Sequence, residues 1–402
     1  MNSQTFENIA LRGQAEVGFA NEGQAVSIRG FTSDSTVPAL ASYGTMLRAG
    51  AQLTGRGAAA QAPALVNYNG GRIFLRDVKT AGYGRALADL DTPDFFAAYR
   101  IRGEDKPGSL GPDIAEDCSH AATSPFPSPA QSLRLPVKET PQPVWDAPGK
   151  WAVVDAFGAD PSGVKDSAAA IQRAVDSGAT TVFLPGFYQT SATVLIRGKV
   201  RRILGLGGWM NYGKHQRPDF RIEEGDAPAV FVENFSDLAG GLEVATRRTV
   251  VVRSAGVTVK STPAAEGGEI FLEDVVGDDF RFRKQRVWAR QLNIENEGTH
   301  LTNDGGDLWV LGYNTERGGT LARTLGGGRT EILGGFSYTT TAGKLAPMLV
   351  NEDSSVWTFF SEVCFNGDPF AVRVQETRGA ATKIVGRDGG STAPYSGRPE
   401  GK

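Results

Sequence analysis

Between residues 288 and 357 this 402-residue chain gathers carboxylates and aromatic rings in a combination suited to sugar chemistry. Glu295, Glu297, Asp304, Asp307, Glu316 and Glu331 supply the acids. Trp288, Trp309, Tyr313, Phe336, Tyr338 and Trp357 supply the rings. Cleaving a glycosidic bond takes two carboxyl groups, one to protonate the leaving oxygen and one to activate water or attack the sugar. Aromatic faces stack on the apolar C–H faces of pyranose rings while polar neighbours bind the hydroxyls. If the strands here stack as coils of roughly 20–30 residues, Glu295 and Glu331 fall near Glu316 on adjacent coils. A second reading uses the same residues. Arg317 follows Glu316 directly, and a guanidinium there favours the ionised carboxylate, so Glu316 also fits a surface ion pair. Any one of the rings fits stacking inside a core as well as a sugar platform.

These residues need a rigid scaffold, and the segment from Val153 to Tyr188 says which. Val153-Val154-Asp155-Ala156-Phe157-Gly158-Ala159-Asp160 leads through Gly163 and Asp166 into a helix-like run from Ser167 to Ser177. Asp166 is placed to cap that helix. Ala168, Ile171, Ala174 and Val175 share one face, and Gly178 ends it. Thr181-Val182-Phe183-Leu184-Pro185-Gly186-Phe187-Tyr188 then reads as strand and turn. A short amphipathic helix laid over the first coil protects the open edge of a parallel stack. The order resembles the opening of the pectate-lyase-like superfamily of right-handed parallel β-helices, where an FGA–DxxGxxD segment and a short helix precede a VxLPxGxY strand. The resemblance implies an all-β solenoid and a polysaccharide ligand.

A long-range repeat extends this reading. Gly70-Gly71-Arg72-Ile73-Phe74-Leu75-Arg76-Asp77-Val78 is echoed by Gly267-Gly268-Glu269-Ile270-Phe271-Leu272-Glu273-Asp274-Val275. The offset far exceeds one coil and points to two tandem β-helices. Residues 1–100 then form a first β-helix, incomplete at its N-terminus because no cap precedes Phe6. Residues 101–150 form a Pro-rich linker running extended between the solenoids. Residues 151–388 form the second β-helix, and 389–402 a disordered tail.

With two β-helices in tandem, the segment Asp307-Leu308-Trp309-Val310-Leu311-Gly312-Tyr313-Asn314-Thr315-Glu316-Arg317 resembles the catalytic coil of the family-55 glycoside hydrolases, exo-acting β-1,3-glucanases. Trp309, Gly312 and Glu316 match its W-L-x-G-[TS]-x-x-E-H sequence, and Arg317 replaces the histidine. The resemblance implies Glu316 as general acid, Glu295 or Glu331 as the second carboxylate, and Trp309, Tyr313 and Trp288 as substrate-binding rings. In that family part of the cleft comes from the first domain. Two other chemistries of the superfamily fit less well. Asp278-Asp279 offers the aspartate pair of polygalacturonases without their GHG element, and a turn explains it equally. Lyase chemistry needs clustered carboxylates around Ca²⁺, and no such cluster is visible.

Composition bounds the rest. Gly is abundant at 51 residues and net charge is −3, with no basic footprint for nucleic acid. The run Arg281 to Arg286 reads as a solvated strand face. No metal or cofactor motif is present, and Gly326-Gly327-Gly328 lacks the following Lys of a phosphate loop. His120, His215 and His300 are isolated. Cys118 and Cys364 lie far apart, and their pairing is open. No apolar stretch spans a membrane. The sequence therefore leads to a tandem parallel β-helix acting on a polysaccharide outside the cell or in the periplasm, its signal peptide lying upstream of Met1. A non-catalytic glycan-binding or structural β-helix, like tailspike or adhesin modules, is the alternative. Oligomeric state is left open.

Overall fold

The computed structural model describes residues 3–91, 104–105, 111–212, 217–387 and 394–399. It is nearly all β, with 57% strand and 7% helix, and winds as a β-solenoid of about 16 turns. Two stacks share these turns. In the first, Ser3–Arg12, Ala25–Ser35, Thr45–Gly55 and Arg72–Ala81 pair in parallel, one per coil. Phe19–Asn21, Leu40–Ser42, Pro63–Tyr68 and Arg85–Asp91 form its second sheet. Antiparallel strands Ile114–Cys118 and Glu104–Asp105 close its far end. The second stack runs in parallel coils from Ala152–Val153 to Val372–Arg378. Antiparallel Ala381–Gly386 and Tyr395–Gly397 close it.

The opening segment of the second stack works as a local unit. Asp160 accepts hydrogen bonds from the backbone N–H groups of Ser162 (3.1 Å), Val164 (3.2 Å) and Lys165 (2.8 Å), which fixes the loop. Those donors, with the Ser162 hydroxyl first, pull its carboxyl down to about 2. Tyr188 donates to Asp155 at 2.7 Å, tying the strand back to the start of the motif. The helix Ala168–Asp176 buries Ala168, Ile171, Ala174 and Val175 on the first coils. Its N-cap is Ser167 rather than Asp166. Asp166 still accepts from the Ala168 N–H (3.1 Å), while its other bonds hold Ser191 on the next coil. Gly178, at φ +86°, ends the helix as expected.

The internal repeat marks equivalent strands with equivalent corners. Asp77 (φ 53°) and Asp274 (φ 54°) both take the left-handed conformation. Each stands in a column of such residues: Asn8, Gly30, Gly50 and Asp77 in the first stack; Ser254, Asp274, Gln291, Gly312 and Gly334 in the second. The strands do not alternate buried and exposed residues. Ile73 and Leu75 enter one lumen and Ile270 and Leu272 the other, yet Phe74 and Phe271 are also buried. They meet in a seam between the two stacks, so the strands are covered on both faces, as an unbroken apolar run requires.

The Pro-rich segment fills that seam. It is extended, as proline dictates, and carbonyls freed from any ladder accept from buried rings. Trp288 Nε1 donates to Pro136 O (2.9 Å) and Trp357 Nε1 to Ala130 O (3.1 Å). Glu7 binds Arg29 (2.7 Å) and Arg290 (2.8 Å), and Glu139 of the strap joins the same arginines. The expected disordered tail requires correction. Tyr395–Gly397 pairs with Ser355–Cys364, and Tyr395 is buried because its hydroxyl reaches Glu376 (2.9 Å) and Asn351 (2.9 Å). Residues 389–393 and 400–402 lie outside the described residues.

Candidate functional site

The structure separates the six residues singled out from the sequence. Glu331 is fully buried in the seam. Its carboxylate pairs with Arg76 (2.9 Å) and accepts from the backbone N–H groups of Arg134 (2.8 Å) and Leu135 (3.2 Å). It holds strap and stacks together and has no path to a ligand. Trp309 and Trp288 are buried in the same seam, 1% and 5% exposed, so neither offers a face to a sugar. Tyr313 points into the lumen, fully buried, with His300 Nδ1 at 2.7 Å from its hydroxyl. Glu331, Trp309 and Trp288 share one cause: the apolar strands of the second stack are covered outside as well as inside, whereas Tyr313 simply faces the lumen.

Glu295 and Glu316 do come together. The strand registers Asn293↔Asn314 and Thr315↔Ser337 put Glu295, Glu316 and Tyr338 at one corner on consecutive coils. Gly277↔Ile294 adds Asp278 one coil earlier. Glu316 is half-buried and Glu295 exposed. The Tyr338 hydroxyl donates to Glu316, and this bond, then burial and the nearby carboxylates, pushes the phenol up to about 12. Glu316 is thus already engaged by the Tyr338 hydroxyl. Arg317 is exposed beside it.

A groove runs from this ladder along the earlier coils. It has a volume of about 690 Å³ and is lined by Trp209, Asp237, Gly256, Val276, Asp278 and Glu295, among others. It continues into a second trough of about 640 Å³ that shares Ala239, Thr258 and Asp278. Gly256 forms its floor. A Cβ there would meet Ser236 O at 2.4 Å, so the row carries no side chain on that coil. Asp237 and Asp278 flank the gap. Asp278 lies two coils on from Asp237 and two residues further along its strand than the Gly256–Val276 row. Burial first, then the Asp278 carboxylate, pushes the Asp237 carboxyl above its ordinary range. At one end Trp209 is 42% exposed and Tyr212 76%, with ring centroids 6.5 Å apart. Phe187 meets Tyr212 edge-on at 5.2 Å.

Sequence reasoning missed Trp209, Tyr212 and Asp237. The available signal was local: Gly207-Gly208-Trp209-Met210-Asn211-Tyr212 alternates small, ring and polar residues instead of forming an unbroken apolar run. The basic run is paired off, Arg281 with Asp279 (2.7 Å) and Arg283 with Glu266 (2.8 Å). Asp279 thus serves a surface network beside the trough. Cys118 and Cys364 are both free thiols. Among the described residues no group of three His, Cys, Asp or Glu is placed to hold a metal ion. Among them, too, no helix is long and apolar enough to cross a membrane.

The fold defines an all-β protein built as a parallel β-solenoid. No family profile matches the chain, and no curated protein does. Among solved structures it is similar to ORF18 of Geobacillus virus E2, at 13% identity and a TM-score of 0.31, over 54% of this chain and 62% of the viral one. It is also similar to PfbA, a surface adhesin of Streptococcus pneumoniae, at 9% identity and a TM-score of 0.26, over 61% of this chain and 98% of the adhesin chain. The match thus spans less than two thirds of the viral chain.

Proposed function

We propose that this chain is a carbohydrate-active protein whose second stack binds a neutral polysaccharide in the groove and hydrolyses it, with Asp237 as proton donor and Asp278 as the base that activates water. One observation carries the reading: an exposed indole, Trp209, shares a groove with two carboxylates set two coils apart across a glycine floor. Trp209 supplies an apolar face for a sugar ring. A separation of roughly 6.5–9.5 Å between carboxyl groups leaves room for a water and corresponds to inversion at the anomeric carbon. Asp237 and Asp278 line one groove, near enough for the Asp278 carboxylate to act on Asp237. Asp237, whose pKa is raised by burial first and then by the Asp278 carboxylate, is the member suited to hold the proton. Asp237, Asp278 and Glu295 together disfavour uronic acids, hence a neutral polymer. On this reading the protein meets its polymer outside the cytoplasmic membrane.

The test is release of reducing ends from neutral glucans, mannans and xylans, with the anomer followed by NMR. Asp237→Asn should remove most of the rate and leave binding intact, since the amide cannot donate the proton. Glu316→Gln should keep most of it. Glycan binding without turnover in either protein would establish the alternative, a binding solenoid. Absence of binding to any of these polymers would remove both readings.

A further inference from the structure

We infer that Asn296 is a hydroxyl-binding residue of the trough and that the buried His300 is the positioning residue that aims it. The inference rests on the groove reading above. It adds one contact with the polymer and the device that holds that contact in place. Residues 295–298 join the strand Arg286–Ile294 to the strand Thr299–Asp304. Glu295 lines the groove, and Asn296 and Gly298 line the trough that continues it. The cations of the trough are already committed: Asp279 holds Lys260 at 3.2 Å and Arg281 at 2.7 Å. The Asn296 amide is not. Its Oδ1 accepts from the Gly298 N–H at 2.8 Å, which fixes the end of the amide that is oxygen. Its Nδ2 has no partner among the described residues and is left as a neutral donor at the trough wall. A sugar hydroxyl oxygen accepts from such a group without either side carrying charge, which suits a neutral polymer.

A loop at a solvent edge holds a binding group still only if something anchors its backbone, and His300 does so. The ring is fully buried. Its Nε2 lies 2.7 Å from the Asn296 carbonyl oxygen, and its Nδ1 lies 2.7 Å from the Tyr313 hydroxyl. A carbonyl only accepts, so Nε2 carries the proton. Burial keeps the ring neutral, so Nδ1 is an acceptor and takes the Tyr313 hydroxyl proton. That tyrosine is fixed in the lumen, with Leu321 O 3.3 Å from its hydroxyl. A core tyrosine thus orients a core histidine, and the histidine holds the backbone of the residue whose side chain stands at the trough. The Asp278 carboxylate is the charged group that acts on the ring, favouring its protonated form against burial. Gly319 on the next coil makes room for the anchor, because a Cβ there would meet Gly298 O and His300 Nε2. The bond to the Asn296 carbonyl, more than the bulk of the ring, is what reaches the binding surface.

The experiment measures affinity by titration calorimetry with soluble glucan, mannan and xylan, and amide hydrogen exchange in the free protein. Asn296→Asp keeps an acceptor for the Gly298 N–H and loses the donor. It should weaken binding about tenfold and leave the melting temperature unchanged. His300→Phe keeps a buried ring and loses the bond to Asn296 O. It should weaken binding about tenfold and speed exchange of the Gly298 amide. His300→Gln offers a donor to Asn296 O and an acceptor to Tyr313, so it should bind within about twofold of wild type and keep that amide protected. A merely structural histidine would lower the melting temperature in both variants and leave affinity and Gly298 exchange alone. Wild-type affinity in Asn296→Asp, or equal affinity loss in His300→Phe and His300→Gln, overturns the inference; if Asp237→Asn still removes turnover, the groove reading stands without it. Unchanged Gly298 exchange in His300→Phe overturns the anchor whether or not a polymer binds. Absence of binding in the wild type removes the groove reading and this inference with it.

Discussion

Replacing Glu331 separates the structural role found here from the catalytic one its sequence position suggests. Its side chain is fully buried, and that of Arg76 is 7% exposed. Removing one member of a buried ion pair costs about 3–5 kcal/mol, because the partner is left charged and uncompensated. Glu331→Ala also strips the acceptor from the Arg134 and Leu135 N–H groups, at about 1–3 kcal/mol each where no water replaces it. The strap can shift, and Arg76 keeps the Ser132 hydroxyl at 3.0 Å, so these costs do not add in full. The expected loss is about 4 kcal/mol for Ala and about 2 kcal/mol for Gln, which retains one carbonyl oxygen. Chemical denaturation followed by tryptophan fluorescence reports on it, since Trp288, Trp309 and Trp357 all line the seam. A two-stack chain need not unfold in one step. Hydrogen exchange at the Arg134 and Leu135 amides therefore supplies the local readout, and protection there should fall. The double variant Arg76→Met with Glu331→Leu should recover the charge penalty and not the amide one. An Ala variant within about 1 kcal/mol of wild type, with unchanged exchange at both amides, would refute the argument.

Other consequences can be checked as directly. Burial above all holds His300 neutral, with its pKa lowered to about 4. Unfolding releases it to about 6.5, so the stability it contributes is present above that value and declines as pH falls towards 4, by about 3 kcal/mol in all. His300→Gln should flatten this stretch of the stability–pH curve, and an unchanged slope would contradict the assignment. Asp237 has the opposite sign: its folded pKa is raised, so its contribution is complete below about 3.9 and lost as pH climbs through the raised value. Asp237→Asn should therefore stabilise the protein at pH near 7 and make no difference near pH 3, as thermal unfolding at both would show. Trp309→Ala should cost about 3–5 kcal/mol through the void it leaves and leave glycan affinity unchanged. A tenfold affinity loss at wild-type stability would return Trp309 to the binding site.

The solenoid was legible because its signals are local. Asp155, Asp160, Asp166 and Tyr188 act on residues of their own or the next coil, so type and spacing together imply the job. The 70–78 and 267–275 repeat was legible for a related reason: both strands turn a left-handed corner at an aspartate. Even the stacking of Glu295 beside Glu316 followed from coil length alone. The seam was not legible. Glu331 meets Arg76, Arg134 and Leu135 across 255, 197 and 196 residues of sequence, and no spacing rule reaches that far. The carbonyls of the Pro-rich strap had no visible partner until Trp288 and Trp357 were placed.

A dry seam and a sugar groove draw on the same residue types, which is why one was mistaken for the other. Both want aromatic area, and both want a few carboxylates with defined partners. What differs is the neighbour pattern. Val287-Trp288-Ala289 and Leu308-Trp309-Val310-Leu311 are apolar at consecutive positions, and a strand can satisfy that only when both faces are buried. A carboxylate in such a run, as in Thr330-Glu331-Ile332, must then find a cation and amide donors inside the protein, because burying it alone is prohibitive. Gly208-Trp209-Met210 instead alternates, with Met210 turned into the lumen and Trp209 turned out, and in Ser236-Asp237-Leu238 the two polar residues stay accessible while Leu238 enters the lumen. On a parallel β-solenoid, a tryptophan or acid inside an unbroken apolar run reports a covered strand. The same residue between alternating neighbours reports a surface where a ligand can lie, and by that criterion the groove at Trp209 and Asp237 outranks the coil at Trp309.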